Sequence, residues 1–482
     1  FHSVPLTVLQ PRTGLALQLT PKTVVRGGIG IFSDLLPGSV ADSLGANPPY
    51  VNTFQGGLLG TVGGLAVAPG VPESAIDATA AANQNFLTGF GQGELSCASP
   101  LAKSGACLPP VSMTVAPGGE LTEPYFVQWS IGLEHQVGTT VGLTAQYVGT
   151  RAVNQPYFSE VNGYQTVCPG CFAPFPYGAP LDPRFGAVAQ LNTGATSDYN
   201  GLQLTAEKRL NHGLQGRVNY TWSHCTDEVS NGGFLAFSAG ALLFPLPGEL
   251  ARDRGPCDYD IPNNLTAQFV YELPSRHWHG RFLRGMLNGW QVSGTAFWHS
   301  GVPFSVMSTP YSANGNGIIN GSGPQFATVV PGVPLYEHKP IAGLTPPGTI
   351  QWLNPNAFIS AVNPSTGACT GGDSVADCQF GTLGRNALRG PQFVWNDFYL
   401  TKWFTLSERL RLRIDAQFFN VFNHPNFAVP TNVYAGIPGN PATQTGFGVL
   451  SYTTEPPTGL LGVGLGADSS TRMIAVQARL EF

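Results

Sequence analysis

Residues 408–423, ERLRLRIDAQFFNVFN, decide the fold of this chain because their side chains alternate in polarity. Successive side chains of an extended strand point to opposite faces. The apolar residues that share one face are Leu410, Leu412, Ile414, Ala416 and Phe418. The polar residues that share the other face are Arg411, Arg413, Asp415 and Gln417. The stretch is therefore predicted to be a strand with an apolar medium on one side and water on the other.

The same alternation recurs along the chain, which ends on Arg479, Leu480, Glu481 and Phe482. It predicts ten further strands, near 13–20, 23–33, 125–134, 141–147, 202–209, 214–222, 265–273, 290–298, 397–401 and 473–482. Short turns join these strands at one end and long Gly- and Pro-rich segments at the other, as expected for periplasmic turns and extracellular loops. A wall that is apolar outside and polar inside predicts an all-β fold, an antiparallel transmembrane β-barrel.

The height of the predicted wall fits a membrane. Trp290 and Trp298 share a face and lie eight residues apart, which corresponds to roughly 26 Å along a strand. The apolar band of an outer-membrane barrel is about 25 Å tall and is flanked by aromatic girdles. These two tryptophans are therefore predicted to lie at the two borders of the bilayer.

The number of predicted strands raises a question of closure. With about eleven antiparallel strands the first and last run in the same direction, whereas bacterial single-chain barrels have even strand numbers. Either residues 3–9 add a twelfth strand, or the chain is part of a larger barrel. The second alternative is favoured because the sequence starts at Phe1 without Met or a signal peptide.

Composition excludes several other classes of protein. Charged residues make up only 11% of the 482 residues, against about 25% in typical soluble domains. The 61 glycines and 41 prolines disfavour long helices, and no uninterrupted apolar run is long enough for a helical membrane span. The net charge of -5 and the scattered basic residues give no support for nucleic-acid binding.

The eight cysteines fall as four neighbouring pairs within, or at the edges of, predicted outer loops. The pairs are Cys97 and Cys107, Cys168 and Cys171, Cys225 and Cys257, and Cys369 and Cys378. Local disulfides within these pairs are the economical prediction and imply an oxidising compartment. Eight reduced thiols remain the alternative, and Cys168 with Cys171 could also form a redox-active pair or half a zinc site.

Charged side chains on the polar faces are the candidate site residues. The predicted lumen-facing charges are Glu207, Arg209, Arg217, Arg411, Arg413, Asp415, Arg479 and Glu481. A cross-strand ladder that hydrates the inner wall or contacts a plug is the favoured interpretation, and a substrate site is the alternative. The sequence contains no HExxH or GxSxG motif, so we expect no catalytic residues, no metal site and no cofactor.

Several motifs carry a family resemblance. They are FGTLGRN at Phe380–Asn386, Arg389–Pro391, Asn396–Asp397 with Lys402, FNVFNHPNF at Phe419–Phe427, Pro11–Gly14, Val25–Phe32, Arg254–Gly255 and Asp258–Asp260. In this order, and with the terminal Phe482, they resemble the C-terminal barrel region of TonB-dependent outer-membrane receptors of Gram-negative bacteria, and most closely the Oar-like subgroup.

The resemblance implies a plugged barrel of about 22 strands, of which residues 1–482 would be the C-terminal half, without plug, TonB box or N-terminal domain. It implies contact with outer-membrane lipid and with TonB through segments outside this sequence. It also implies that the barrel-assembly machinery reads Phe482 as part of its signal. The expected function is transport of an unidentified ligand across the outer membrane, not catalysis.

Two other hypotheses from different classes remain open. The first is a secreted adhesin built as a soluble β-sandwich, which would bury Leu410, Leu412 and Ile414 against a second sheet. The second is a complete small passive porin. The barrel hypotheses require apolar residues such as Leu412, Val218 and Ile474 to face lipid, outside any packed core.

Overall fold

The computed structural model describes the wall strands and most of the segments that join them. The described residues are 9–33, 122–160, 188–228, 250–277, 279–308, 326–341, 349–359, 381–407, 410–434, 446–450 and 471–482, with short pieces at 61–62, 65–66, 84, 87–95, 113–115, 182, 184, 243–244 and 453. Two sequence predictions lie outside these residues. One is the twelfth strand within residues 3–9, of which only Leu9 is described. The other concerns six of the candidate cysteines, at positions 97, 107, 168, 171, 369 and 378.

Eleven long strands form one antiparallel sheet in chain order. They are β1 Arg12–Thr20, β2 Thr23–Ser33, β3 Tyr125–Val137, β4 Val141–Glu160, β5 Val188–Asn211, β6 Leu214–Asp227, β7 Asn263–Glu272, β8 Trp290–His299, β9 Phe393–Thr405, β10 Arg411–Phe419 and β11 Met473–Glu481. Each pairs with its neighbour in sequence. The predicted all-β antiparallel sheet is confirmed.

Cross-strand register carries the apolar face from one strand to the next. Val218 of β6 lies opposite Ala206 of β5 and Ala267 of β7. On β10, Leu412 lies opposite Leu480 of β11. Because side chains alternate along each strand, this register places the apolar residues together on one side of the sheet and the polar residues together on the other.

The apolar face is not covered by a second sheet. Val218 is 43% exposed and Ile474 is 62% exposed, and the residues that the adhesin hypothesis buries, Leu410, Leu412 and Ile414, all remain partly exposed. The packing that a β-sandwich requires is therefore missing from the described part of the chain. An exposed apolar face of this extent matches the lipid-facing side of a barrel wall.

The two edges of the sheet are β1 and β11, and among the described residues they do not pair with each other. Eleven antiparallel strands place both edge strands in the same direction. The sheet is thus an open wall, as expected for a partial barrel.

Two predicted loop boundaries are wrong. The segment 154–195, predicted to be irregular, contributes the end of β4 and the start of β5, which extend to Glu160 and from Val188. Register shifts after Ala152 and around Gln155 disturb the alternation there, which hid the strands from a pattern search. The predicted segment 307–393, by contrast, ends where β9 begins, at Phe393.

The long connection from β8 to β9 and the one from β10 to β11 fold together into a compact body, which we call the outer lobe. Its buried core consists of Phe304, Val306, Phe326, Ala327, Leu353, Ala357, Phe358, Leu383, Leu388, Tyr434 and Phe447. These connections were predicted to be irregular, but their short strands pair across distant parts of the chain. Such pairs leave no local period in the sequence.

Short elements build the outer lobe and the neighbouring loops. The strands are Thr61–Val62, Leu65–Ala66, Met113–Val115, Leu243–Phe244, Gly255–Pro256, Pro303–Phe304, Met307–Ser308, Thr328–Val329, Tyr336–Pro340, Ile350–Leu353, Phe358–Ile359, Leu388–Arg389, Val433–Tyr434 and Val449–Leu450. The helical turns are Leu250–Asp253 and Pro355–Ala357. An α-helix, α1 (Arg281–Leu287), lies between β7 and β8. In the described residues, no helix has the length and apolarity needed to cross a bilayer.

Candidate functional site

All eight candidate lumen charges lie on strands of the wall, in positions that alternate with the apolar face. Glu207 lies directly opposite Arg217 across β5 and β6. On the last two strands Arg411 lies opposite Glu481 and Arg413 opposite Arg479. Arg209 follows Glu207 two residues on, beside the turn into β6. The register therefore gathers these charges on one polar face; that this face lines a lumen stays a prediction.

Contacts on the polar face run along and between neighbouring strands. Arg413 Nε lies 2.8 Å from an oxygen of Asp415, and the Thr401 hydroxyl donates to Asp415 over 2.6 Å. Near the other group, Arg217 Nε donates to Asn219 Oδ1 over 3.0 Å. The Asn219 amide in turn donates to Thr266 Oγ1 over 3.1 Å. Such contacts form a polar ladder along and across the strands; that the ladder hydrates an inner wall or contacts a plug stays a prediction.

A second group of charges lies at the opposite end of the wall from the tight turns, and we call it the outer ion-pair cluster. It consists of Asp198, Asp227, Glu228, Arg254, Asp258, Asp260, Arg385 and Arg389. Arg385 is central to it, with a side chain that is only 1% exposed. Its guanidinium donates to the Asp227 carboxylate and to the Asp253 and Gly255 carbonyls. One buried cation therefore joins the outer lobe to the end of β6 and to the loop that follows it.

Neighbouring pairs extend this connection. Arg389 pairs with Asp260, which is almost fully buried, and Arg254 bridges Glu228 at 2.8 Å and Asp198 at 2.5 Å. Partial burial acts to lower the pKa of Arg254, but the hydrogen bonds and charges of these two carboxylates outweigh it and raise the pKa above its usual value. The guanidinium stays charged across the physiological range.

Three of the resemblance motifs meet in this cluster, one of them distant in sequence from the other two. The Arg254–Gly255 and Asp258–Asp260 motifs supply its acidic side and backbone carbonyls, and the FGTLGRN motif supplies Arg385 and Asn386. A Cβ on Gly255 would lie 2.3 Å from the Arg385 carbonyl oxygen, so only glycine permits this approach. The motifs are thus contact surfaces for each other.

The FNVFNHPNF motif has a different role, at the outer end of β9. The Asn426 side chain is fully buried and bonds both the N–H and the carbonyl of Val394. Asn420 has a positive φ of 46° and holds His424 through its side chain. The motif turns the chain at the end of β10 and fastens it against β9.

A disulfide joins Cys225 of β6 to Cys257, with the Cα atoms 5.4 Å apart. Both residues are buried, and the bond holds the loop that carries Asp258 and Asp260 against the end of β6. The other three predicted pairs lie outside the described residues. His277 and His279, in the connection between β7 and β8, are exposed, and the described residues contain no cluster suited to a metal ion.

Removing this disulfide should loosen the outer ion-pair cluster. We expect the Cys225→Ser, Cys257→Ser double variant to lower the stability of the loop against local unfolding by about 2 kcal/mol, at the lower end of the usual range for a disulfide. The loss is small because the Arg385 and Arg389 contacts still hold the loop. Hydrogen exchange of the Cys257 amide, which bonds the Cys225 carbonyl, would report the loss. Wild-type protein treated with reductant is the matched control, and equal protection in all samples would contradict the expectation.

Sequence reasoning missed the outer ion-pair cluster. It used Arg254, Asp258, Asp260, Arg385 and Arg389 only as marks of resemblance, and it did not consider Asp227 or Glu228. The sequence did contain a signal for this cluster. Charged residues are scarce in this chain, yet several of them occur in Gly- and Pro-rich loops. A loop that is only solvated does not require paired arginines.

The profile of the outer membrane beta barrel domain family matches residues 5–459. This chain belongs to that family. The barrel domain therefore resides in the outer membrane of a Gram-negative bacterium; that the exposed apolar face of its sheet meets lipid stays a prediction. No curated protein matches the chain.

Solved structures of outer-membrane proteins are similar to this barrel domain at low identity. The outer membrane transporter YddB from Escherichia coli is 9% identical with a TM-score of 0.40, over 95% of this chain and 38% of that one. A mutant of the ferric enterobactin receptor PfeA from Pseudomonas aeruginosa is 12% identical with a TM-score of 0.39, and the match covers 98% of this chain and 40% of that receptor. The siderophore receptor PirA from Acinetobacter baumannii is 8% identical with a TM-score of 0.35, and the match covers 86% of this chain and 37% of that receptor. This chain thus spans less than half the length of these proteins.

Proposed function

We propose that residues 1–482 are the C-terminal barrel region of a TonB-dependent outer-membrane receptor of the Oar-like subgroup, which admits a ligand through its lumen. The single observation that carries the proposal is the continuous polar face, backed across eleven strands by an apolar face. The sequence motifs support a larger barrel, as does the lack of pairing between the edges β1 and β11 among the described residues. Glu207, Arg217, Arg413 and Asp415 would then line the passage.

The outer lobe would form the ligand's entry surface. Its core is built from connections at the extracellular end of the wall, and the outer ion-pair cluster fixes that core to β6 through the Arg385 and Asp227 pair. A fixed surface loses less entropy on binding than a mobile loop does. Ligand capture would therefore depend on this cluster even though its buried side chains do not touch the ligand.

The proposed protein is not an enzyme. Its partners would be outer-membrane lipid, the barrel-assembly machinery and TonB, the last through segments outside these residues. Phe482, which follows β11 and is fully exposed, would be the terminal aromatic residue of the assembly signal. The cycle would use ligand binding and energised release, and no cofactor.

The proposal is tested with the intact gene product and two probes. The purified C-terminal domain of TonB should bind the intact protein and should not bind residues 1–482 alone. In planar bilayers with KCl on both sides, the intact protein should show no steady single-channel conductance, because a plug would fill the lumen. Absence of TonB binding would refute the energised receptor, and steady KCl conductance would favour the passive porin instead.

A further inference from the structure

The connection between β7 and β8 is unlike the other short turns of the wall. It runs from Leu273 to Gly289 and lies at the same end of the sheet as the tight turns at 21–22, 138–140 and 212–213. That end faces the periplasm, because outer-membrane barrels have short turns there. Two residues suffice for a hairpin, so a connection of this length with a helix of its own needs another explanation.

The helix α1 in this connection has an exposed apolar face. Phe282 is 78% exposed, and Leu283, Met286 and Leu287 are also exposed. Residues at spacings of three and four lie on one side of a helix, so these four side chains form one patch. Nothing in the described residues covers this patch.

Basic residues surround the apolar patch and acidic residues are absent. Between Glu272 and Glu337 the sequence contains no Asp or Glu, whereas the connection contains Arg276, Arg281, Arg284, His277 and His279. Arg276 and Arg284 are exposed, and no ion pair is found for either within the described residues. Exposed apolar side chains beside unbalanced positive charge are typical of helices that lie at an anionic membrane surface.

The position of α1 relative to the wall decides what covers it. Lys402 lies on the apolar face, opposite Trp290 and Ile414, and its ammonium group donates to the carbonyls of Met286 and Asn288. Trp290 Nε1 also donates to the Met286 carbonyl, over 2.9 Å. The C-terminal end of α1 is therefore fastened to the lipid-facing side of the wall and not to its polar side.

Further contacts make this arrangement rigid. The Asn288 side chain accepts from the Arg276 amide over 3.0 Å and donates to the Arg276 carbonyl over 2.9 Å, which closes the arm before the helix onto the end of the helix. The Lys402 ammonium lies 5.0 Å from the ring centroids of both Trp290 and Phe404. Aromatic rings beside a lysine mark the membrane border in barrel walls.

We propose that α1 and residues 273–277 form a basic amphipathic anchor in the periplasmic leaflet of the outer membrane. The apolar patch enters the acyl chains next to the wall, and Arg276 and Arg284 bind the headgroups of anionic phospholipids. The anchor is continuous with the lipid-facing side of the barrel, and Lys402 sets its depth. This interaction does not depend on the transport function proposed above.

The experiment is photo-crosslinking of the full-length protein in the outer membrane, with p-benzoylphenylalanine in place of Phe282. Mass spectrometry of the tryptic peptides then identifies the adduct. Val218, on the lipid-facing side in mid-wall, is the positive control, and Gln268, exposed on the polar face, is the negative one. We expect phospholipid adducts at 282 and 218, with at least tenfold fewer at 268.

The anchor proposal is overturned if position 282 gives adducts with protein. It is also overturned if position 282 gives no adduct while position 218 gives phospholipid adducts. If position 218 also gives no phospholipid adduct, the apolar face of the wall does not face lipid, and the anchor proposal is overturned as well. For the charges, Arg276→Gln with Arg284→Gln should lower the share of phosphatidylglycerol and cardiolipin among the adducts at least threefold. Arg411→Gln, an exposed arginine at the same end on the polar face, is the matched control, and an unchanged share in the double variant contradicts the headgroup contact.

Discussion

Replacing Arg385 with methionine is expected to destabilise the attachment of the outer lobe by about 3 to 5 kcal/mol. The side chain is 1% exposed and pairs with a nearly buried Asp227, so the substitution leaves a buried carboxylate without its cation. It also removes the donor for the Asp253 and Gly255 carbonyls. The large cost comes from these stranded acceptors and not from the lost attraction itself.

The loss is measurable as local opening. Gly390 N–H bonds the Val302 carbonyl and Leu383 N–H bonds the Ala327 carbonyl, so exchange at these amides follows the stability of the lobe. A loss of 3 to 5 kcal/mol lowers their protection by roughly a hundredfold to several thousandfold. Amides in the middle of the wall should be unaffected.

Two further variants make this expectation specific. Arg411→Met removes an exposed arginine of the wall and should change protection by less than about threefold, since exposed pairs contribute little. Asp227→Leu combined with Arg385→Met should recover part of the loss, because the stranded carboxylate is then absent. If Arg385→Met alone leaves Gly390 and Leu383 protected, the cluster is not what holds the lobe.

A charge on the lipid-facing side should disturb assembly of the wall. Val218 lies five residues after the turn at Gly213, which is about 16 Å along the strand. At the usual tilt this corresponds to about 12 Å of height, near the middle of the apolar band. Val218→Arg should therefore cost about 2 to 4 kcal/mol.

The control for Val218→Arg is Thr144→Arg. Thr144 lies opposite Thr205, which itself lies opposite Asn219, so the new arginine would stand one residue higher but on the polar face. Its other neighbour across the sheet is Glu134, and we expect no loss of assembly. Heat-modifiability on gels gives the folded fraction of each variant, and urea titration in lipid gives the stability. Equal assembly of the two variants would show that the faces are assigned wrongly.

Much of the wall could be predicted from the sequence because its rule is local. Leu412 and Ile414 alternate with Arg413 and Asp415 in consecutive residues. The cross-strand register places Leu480 opposite Leu412 and Ala478 opposite Ile414, so the same alternation continues on the next strand. The predicted strands failed where the alternation itself failed, as in the extension of β4 past Ala152. The eight candidate lumen charges were predicted by the same local rule.

The outer ion-pair cluster and the helix anchor depend on contacts that no local pattern records. Arg385 and Asp227 are 158 residues apart, and the face of the wall on which α1 sits follows from the bonds of Lys402 to Met286 and Asn288, more than 110 residues away. The sequence by itself determined which side chains share the apolar face and which share the polar face, because successive side chains of every strand point to opposite sides. Only the tertiary structure decided which distant charges pair and which loops pack together, because those choices depend on how the ends of non-adjacent strands approach one another in space.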